Sequence, residues 1–252
     1  ESAILIGIIA GTGCYNLPAL QGRASEDLTN RYGTARITRG SWNGVDIAFM
    51  TRHGSDHSVP PQRVNYRANI QALKDLGVDY VIAVNVVGSV DPALKPGDLQ
   101  LVEDFIDFTS GREHTFFDGV QPGGVRHVDV VDCYDAKVRE AMRTSAASLG
   151  ITLHEGGIYA GFNGPRFETP AEIRFAALAG ATVVGMTGCP EVSLATEADL
   201  KYGAIAVVAN PAAGLSKEPI TTDEIGRVID EASSRVISII EGALPLLDSA
   251  KQ

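Results

Sequence analysis

Cysteine is scarce in this chain of 252 residues. Cys14, Cys133 and Cys189 form an odd set, far apart and without a CxxC pair. That spacing excludes a disulfide framework or a structural zinc site as the organising device, and free thiols point to a reducing, cytoplasmic setting. Positive charge is also short. The 21 Lys and Arg residues face 31 Asp and Glu, for a formal net charge of -10. A field of that sign repels nucleic acid and anionic membranes, so neither is expected as a partner. An anionic substrate must therefore be captured by a local cluster of donors. The N-terminal apolar run, residues 3–10, lacks a basic flank and is too short to span a bilayer. It reads as a buried strand, and no targeting segment is expected. Internal repeats, low-complexity stretches and charged linkers are missing too, so one domain over residues 1–252 is expected.

What is present is a mixed pattern of elements. Runs rich in Val and Ile predict strands at residues 4–9, 45–50, 80–87, 99–102, 182–186 and 204–209. Helices are marked by their ends. Pro61 opens one and Gly77 stops it. Thr169-Pro170-Ala171-Glu172 has capping-box spacing with proline at the first helical position. Thr221 and Glu224 repeat that spacing before a long final helix. Strands followed by helices give an α/β fold with helices on both faces of a sheet.

Several strand ends carry chemistry-bearing residues. Ala10-Gly11-Thr12-Gly13 follows the first strand, where glycines let backbone N–H groups approach an anion and Thr12 adds a hydroxyl. A dinucleotide fingerprint would need glycine where Asn16 stands, and the P-loop lysine is missing. After the strand at 45–50, Arg52 offers a planar fork matched to phosphate oxygens and His53 a further donor. His53 and His57 have metal-ligand spacing for a helix, but Gly54 and Pro60-Pro61 favour a loop. Asn85-Val86-Val87-Gly88-Ser89 ends the most apolar strand, where ligands of α/β sheets gather. Phe167 can stack on a flat ring and Glu168 can accept from ring N–H groups. Met186-Thr187 precedes Cys189-Pro190-Glu191, a second helix start that suits an anion. The amide of Asn210 suits the edge of a heterocycle. Each of these also has a bland structural reading; their joint meaning is one phosphate and one planar base.

Together with Val64-Asn65-Tyr66-Arg67-Ala68-Asn69, Gly97-Asp98, Gly164-Pro165-Arg166-Phe167-Glu168-Thr169 and Pro190-Glu191-Val192, these motifs run nearly end to end. The chain resembles the trimeric purine nucleoside phosphorylase and methylthioadenosine phosphorylase family. The resemblance implies a central mixed β-sheet, partly closed into a barrel and flanked by helices. It implies a homotrimer with sites near subunit interfaces. It also implies that Thr12, Arg52, His53 and Thr187 hold phosphate, with a backbone contact near Val86. Met186, Val87 and Gly88 would lie along the nucleoside, and Phe167, Glu168 and Asn210 would hold the base. Asn210, Glu168 and His53 would carry the catalysis. Phosphate is then a co-substrate, and no metal or organic cofactor is expected.

Two groups of residues bear on the substrate, one for the base and one for the sugar. The adenine-specific branch has two aspartates where this chain has Asn210 and Ala212, whereas Glu168-Thr169 with Asn210 matches the 6-oxopurine branch. His127 matches a histidine that the methylthio-specific branch lends from a neighbouring subunit to the 5′ pocket. Thr222 lies close to where an apolar residue would meet a methylthio group, which leaves room for a 5′-hydroxyl. A 6-oxo base site joined to a methylthio-type sugar site is the pattern of the methylthioinosine-cleaving branch. Methylthioadenosine and ordinary 6-oxopurine nucleosides are the alternatives.

Overall fold

A computed structural model describes residues 3–14, 16–219 and 221–249. In chain order the elements are β1 (Leu5–Ala10), β2 (Ser25–Asn30), β3 (Gly33–Trp42), β4 (Val45–Thr51), α1 (Tyr66–Asp75), β5 (Tyr80–Ser89), β6 (Leu99–Asp107) and α2 (Ala136–Ser148). They continue with β7 (Leu153–Gly161), α3 (Pro170–Leu178), β8 (Val183–Gly185), α4 (Glu191–Glu197), β9 (Lys201–Pro211) and α5 (Thr222–Ser249). The strands form a 9-stranded sheet in the order β2-β3-β4-β1-β5-β8-β7-β6-β9, and β5 also pairs with β9. That extra pairing closes β5, β8, β7, β6 and β9 into a barrel and leaves β1 to β4 as an open extension. The expected mixed sheet, partly closed and flanked by helices, is what forms.

The continuous apolar runs reflect a sheet buried on both faces. Along β1, Ile6, Ile8 and Ala10 join one core while Ile9 joins the other. β5 alternates likewise, with Tyr80, Ile82 and Val84 on one side and Val81, Ala83 and Val87 on the other. The first core is covered by α2 and α5 through Val138, Met142, Val236, Ile239 and Ile240. The second takes Ile70 and Leu73 from α1 and Val192 and Leu194 from α4. Among the described residues no helix is long and apolar enough to cross a membrane.

The six strands expected from apolar runs all form, but β5, β6 and β9 extend further. β2 and β3 escape the pattern because their burial alternates and much of their surface is exposed. β7 escapes because Gly156 and Gly157 read as a loop; the register against β6 shifts there, between Gln100 and Val102 and again between Val102 and Asp104. Pro61 opens a short 3-10 turn, Pro61–Arg63, rather than the helix itself. Asn65 is the true cap of α1, its side chain accepting from the N–H of Ala68 at 3.0 Å. Gly77, at φ 76°, follows the end of that helix as expected.

The capping box at α3 forms in full. Thr169 Oγ1 accepts from the N–H of Glu172 at 3.1 Å, and Glu172 Oε1 accepts from the N–H of Thr169 at 2.8 Å. Arg166 also donates to Glu172, and these bonds hold that carboxyl down at about 2. The box fixes the chain direction immediately after Phe167 and Glu168. Thr169→Ala should therefore lower folding stability by about 1 kcal/mol while Thr169→Ser keeps most of it. Urea denaturation of the three proteins checks this, and equal midpoints for wild type and the alanine variant would remove the cap from the account.

Candidate active site

β1 runs parallel to both β4 and β5, and β5 runs parallel to β9. Their carboxyl ends therefore open on one side of the sheet, the usual place for a ligand in an α/β fold. Gly11 and Thr12 follow β1, His53 follows β4, Val86 to Gly88 end β5 and Asn210 lies near the end of β9. Gly185, Met186 and Thr187 enter from β8, and Phe167 and Glu168 from the loop before α3. All of these line one cavity of about 350 Å³.

Gly11, Thr12, His53 and Thr187 form part of the cavity wall, and Gly11 lies close to His53 Nε2. Asn85 Nδ2 donates to Thr187 Oγ1 at 3.3 Å, which leaves the hydroxyl hydrogen available to a ligand. The backbone N–H groups of Thr187 and Gly188 both point to the Tyr159 hydroxyl, at 3.2 and 3.0 Å. The second anion-binding helix start expected from the sequence is thus reduced to the Thr187 hydroxyl, because Tyr159 takes the backbone donors.

His53, expected as a donor toward a ligand, has one ring nitrogen committed inside the fold. Its Nδ1 lies 2.9 Å from the carbonyl oxygen of Val59. A carbonyl only accepts, so Nδ1 carries the proton and Nε2 is the acceptor in the neutral ring. Burial, helped by the nearby charge of Arg52, pushes the imidazole below its ordinary value and favours that neutral form. The segment between His53 and His57 is a loop, with His57 at φ 58°. Among the described residues no cluster of three or more His, Cys, Asp or Glu side chains is placed to hold a metal.

Arg52 is not in the cavity wall, although an open fork was expected. Nε and Nη2 each donate to a different oxygen of Glu191 at 2.7 Å, and Nη1 donates to the carbonyl of Val84 at 2.6 Å. The pair is buried, with side-chain exposures of 0% and 2%. Burial works against the guanidinium charge, but the Glu191 carboxylate outweighs it and holds Arg52 above its ordinary value. Breaking such a pair from one side costs about 3–5 kcal/mol.

Phe167, Glu168 and Asn210 also line the cavity and have the chemistry to meet a flat, polar ring. Phe167 is 46% exposed, an unusual state for a phenyl ring and one that offers a stacking face. Glu168 is 8% exposed, and its Oε2 is buried with no hydrogen-bond partner among the described residues. Burial raises its carboxyl above the usual range. Asn210 is aimed by a bulge: Val87 pairs with Val208 but Gly88 pairs with Asn210, so Ala209 is extra. The missing side chain of Gly88 matters here, since a Cβ would lie 3.3 Å from Asn210 Nδ2 and 3.2 Å from the Cα of Ala212.

His127 and Thr222 are exposed and outside the cavity wall of this single chain. Ile225, three residues after Thr222 on α5, lines the cavity instead. Helical spacing from Thr222 is the clue that could have found it. His57, Val59, Pro60 and Pro61 also line the cavity and were not singled out as binding residues. Their position depends on how the loop after β4 folds back.

An unpaired carboxylate held for a ligand costs stability, and its charged form bears that cost. Glu168→Gln should raise stability by about 1 kcal/mol at neutral pH. The gain should disappear as the pH falls through the raised carboxyl value of Glu168 to below about 4.5, where the wild-type group is neutral in both the folded and the unfolded state. Thermal unfolding across pH checks this, and a Gln variant less stable than wild type at neutral pH would show that Glu168 is held by unseen partners.

The sequence matches the Phosphorylase superfamily over residues 5–245. It is 41% identical to the 6-oxopurine nucleoside phosphorylase of Pyrococcus furiosus over 98% of this chain and 94% of that one. It is 44% identical to a probable S-methyl-5′-thioinosine phosphorylase of Methanothermobacter thermautotrophicus, over 95% of this chain and 83% of that one. Its fold superimposes on a methylthioadenosine phosphorylase from Schistosoma mansoni in complex with adenine with a TM-score of 0.90, at 31% identity, covering 98% and 92% of the two chains. The cavity at the convergent strand ends belongs to the same framework, and the chain is a member of the phosphorylase superfamily.

Proposed function

We propose that this chain cleaves the N-glycosidic bond of a purine nucleoside with inorganic phosphate, and that 5′-methylthioinosine is its preferred substrate. The observation that carries the reading is the buried Oε2 of Glu168, without a hydrogen-bond partner among the described residues, in the wall it shares with Asn210 and Phe167. A 6-oxopurine has a proton on N1, which that oxygen accepts. A 6-aminopurine presents a lone pair there and would leave the carboxylate unpaired. The Asn210 amide donates one N–H to the carbonyl of Pro211 at 2.7 Å and keeps the other for O6 or N7, and Phe167 stacks on the ring.

Phosphate occupies the end formed by Gly11, Thr12, His53 and Thr187, with Arg52 beneath it. The bond from C1′ to the purine nitrogen stretches first, and its electron pair leaves with the base. Phosphate stabilises the ribosyl cation and forms the new C1′–O bond. It enters with one proton, which the His53 Nε2 lone pair takes and passes to solvent, while the purine takes a proton from solvent. Glu168 and Asn210 are aimed at the charge that develops on the departing base, often the largest catalytic term. This scheme needs neither metal nor organic cofactor.

The apolar wall of Val59, Pro60, Pro61 and Ile225 supports a methylthio group at the 5′ end. Such a wall rejects a hydroxyl weakly, by about 10²-fold, whereas a polar mismatch at the base costs about 10⁴-fold. The expected order of kcat/KM is methylthioinosine, then inosine, with methylthioadenosine and adenosine well behind. Asn210→Asp should depress the first two and narrow the gap to the others. A phosphate-dependent assay of the four nucleosides decides it. Methylthioadenosine equal to methylthioinosine would end the reading of Glu168 and Asn210, and inosine ahead of methylthioinosine would end that of the apolar wall.

Exposed His127, and exposed Phe175 and Leu178 on α3, support a homotrimer in which His127 completes a neighbour's sugar pocket. The three buried free thiols suit the cytoplasm. Sedimentation should give a trimer, and His127→Ala should raise KM for nucleoside without changing assembly. A fully active monomer would refute the shared site.

A further inference from the structure

Arg52 has five N–H donors, and three bonds to Glu191 and Val84 leave one N–H on Nη1 and one on Nη2. Nη1 is buried beside Gly11, which is itself part of the cavity wall. A Cβ built on Gly11 would sit 3.3 Å from Nη1 and 3.9 Å from Nε2 of His53. The side chain that Gly11 lacks would therefore crowd both groups, and its absence leaves the backbone of Gly11 as the layer between Nη1 and the cavity. Glu191 holds the guanidinium in that orientation with both carboxylate oxygens. Its Oε1 also accepts from the hydroxyl of Tyr202, on β9, at 2.7 Å. Both Glu191 and Tyr202 are almost completely buried. Glu191 is also the first residue of α4, four positions after Thr187. One short rigid segment thus carries the Thr187 hydroxyl into the cavity and clamps the arginine below it.

We propose that Glu191, supported by Tyr202, is a positioning residue for phosphate. It fixes the direction of the Arg52 donors and balances their charge, so that phosphate is oriented without being clamped by a free cation. A free guanidinium would stabilise the phosphate dianion before it reacts as much as during reaction, and uniform binding of that kind does not speed the chemical step. The inference rests on phosphate occupying the end of the cavity that holds Gly11 and His53.

Steady-state kinetics with inorganic phosphate and a purine nucleoside varied in turn test it, on wild type, Glu191→Gln, Glu191→Asp and Tyr202→Phe. Glu191→Gln should lower kcat/KM for phosphate about tenfold, the equivalent of one charge-assisted hydrogen bond, with the nucleoside KM changed by less than about twofold. Glu191→Asp keeps the charge and should recover part of the loss. Tyr202→Phe is isosteric and should show the same split more weakly, which keeps the test available if the Glu191 variants fold poorly. Wild type that turns over with phosphate, alongside a Tyr202→Phe or Glu191→Gln variant whose melting temperature falls while the phosphate and nucleoside parameters move together or not at all, would overturn the positioning role. Wild type that shows no phosphate-dependent turnover would instead overturn the reading of the site on which it rests.

Discussion

The parallel pairing of β5 with β9 is the constraint on which the rest depends. It runs from Tyr80 against Lys201 to Ser89 against Pro211 and turns an open sheet into a barrel. Without it β6, β7 and β8 would hang from one edge of β5. With it, the ends of β5, β8 and β9 meet at one rim, beside the ends of β1 and β4. The bulge at Val87 and Gly88 lies in the last turn of that pairing and points Asn210 into the cavity. Barrel closure and the placing of the Asn210 side chain in the cavity wall are therefore one event.

The interior that closure creates holds polar groups in two different states. Arg52, Glu191 and Tyr202 satisfy one another, as do Thr187, Gly188, Asn85 and Tyr159. These groups are pre-organised, and their rigidity comes from having no better alternative in a low-dielectric surrounding. Glu168 is the contrast: a buried carboxylate with one oxygen left without a partner among the described residues. A fold selected for stability alone would have paired or removed it. Keeping it unpaired makes sense where a ligand supplies the missing donor, which links a local cost in stability to recognition of a base.

Electrostatics follows the same division. The chain carries a net charge of -10, yet the groups around Gly11 are the Thr12 hydroxyl, an imidazole whose charged form burial disfavours and an arginine whose charge is balanced by Glu191. On the proposed reading, an anion is captured there through direction, by donors aimed at fixed points, rather than through a basic field.

Much of the site was legible in the sequence because strand ends, glycines and side-chain chemistry are local properties. Thr12, His53, Phe167, Glu168, Thr187 and Asn210 line one cavity, as their residue types suggested, and Val86 and Met186 join them, as the family resemblance implied. The apolar strands and the capped helix at Thr169 were legible for the same reason: a burial period or a cap is written within a few residues. What the sequence could not contain was partnership. That Arg52 meets Glu191 and not solvent, that Tyr159 takes the N–H groups of Thr187, and that a carbonyl at Val59 sets the tautomer of His53 all depend on segments brought together by the closed barrel. Ile225 replaces Thr222 in the wall because the helix phase of α5 is fixed by its packing on the sheet. Residue identity determined what each group could do, and tertiary contacts decided which of those capacities stayed available, because a hydrogen bond donated inside the fold is no longer there for a ligand.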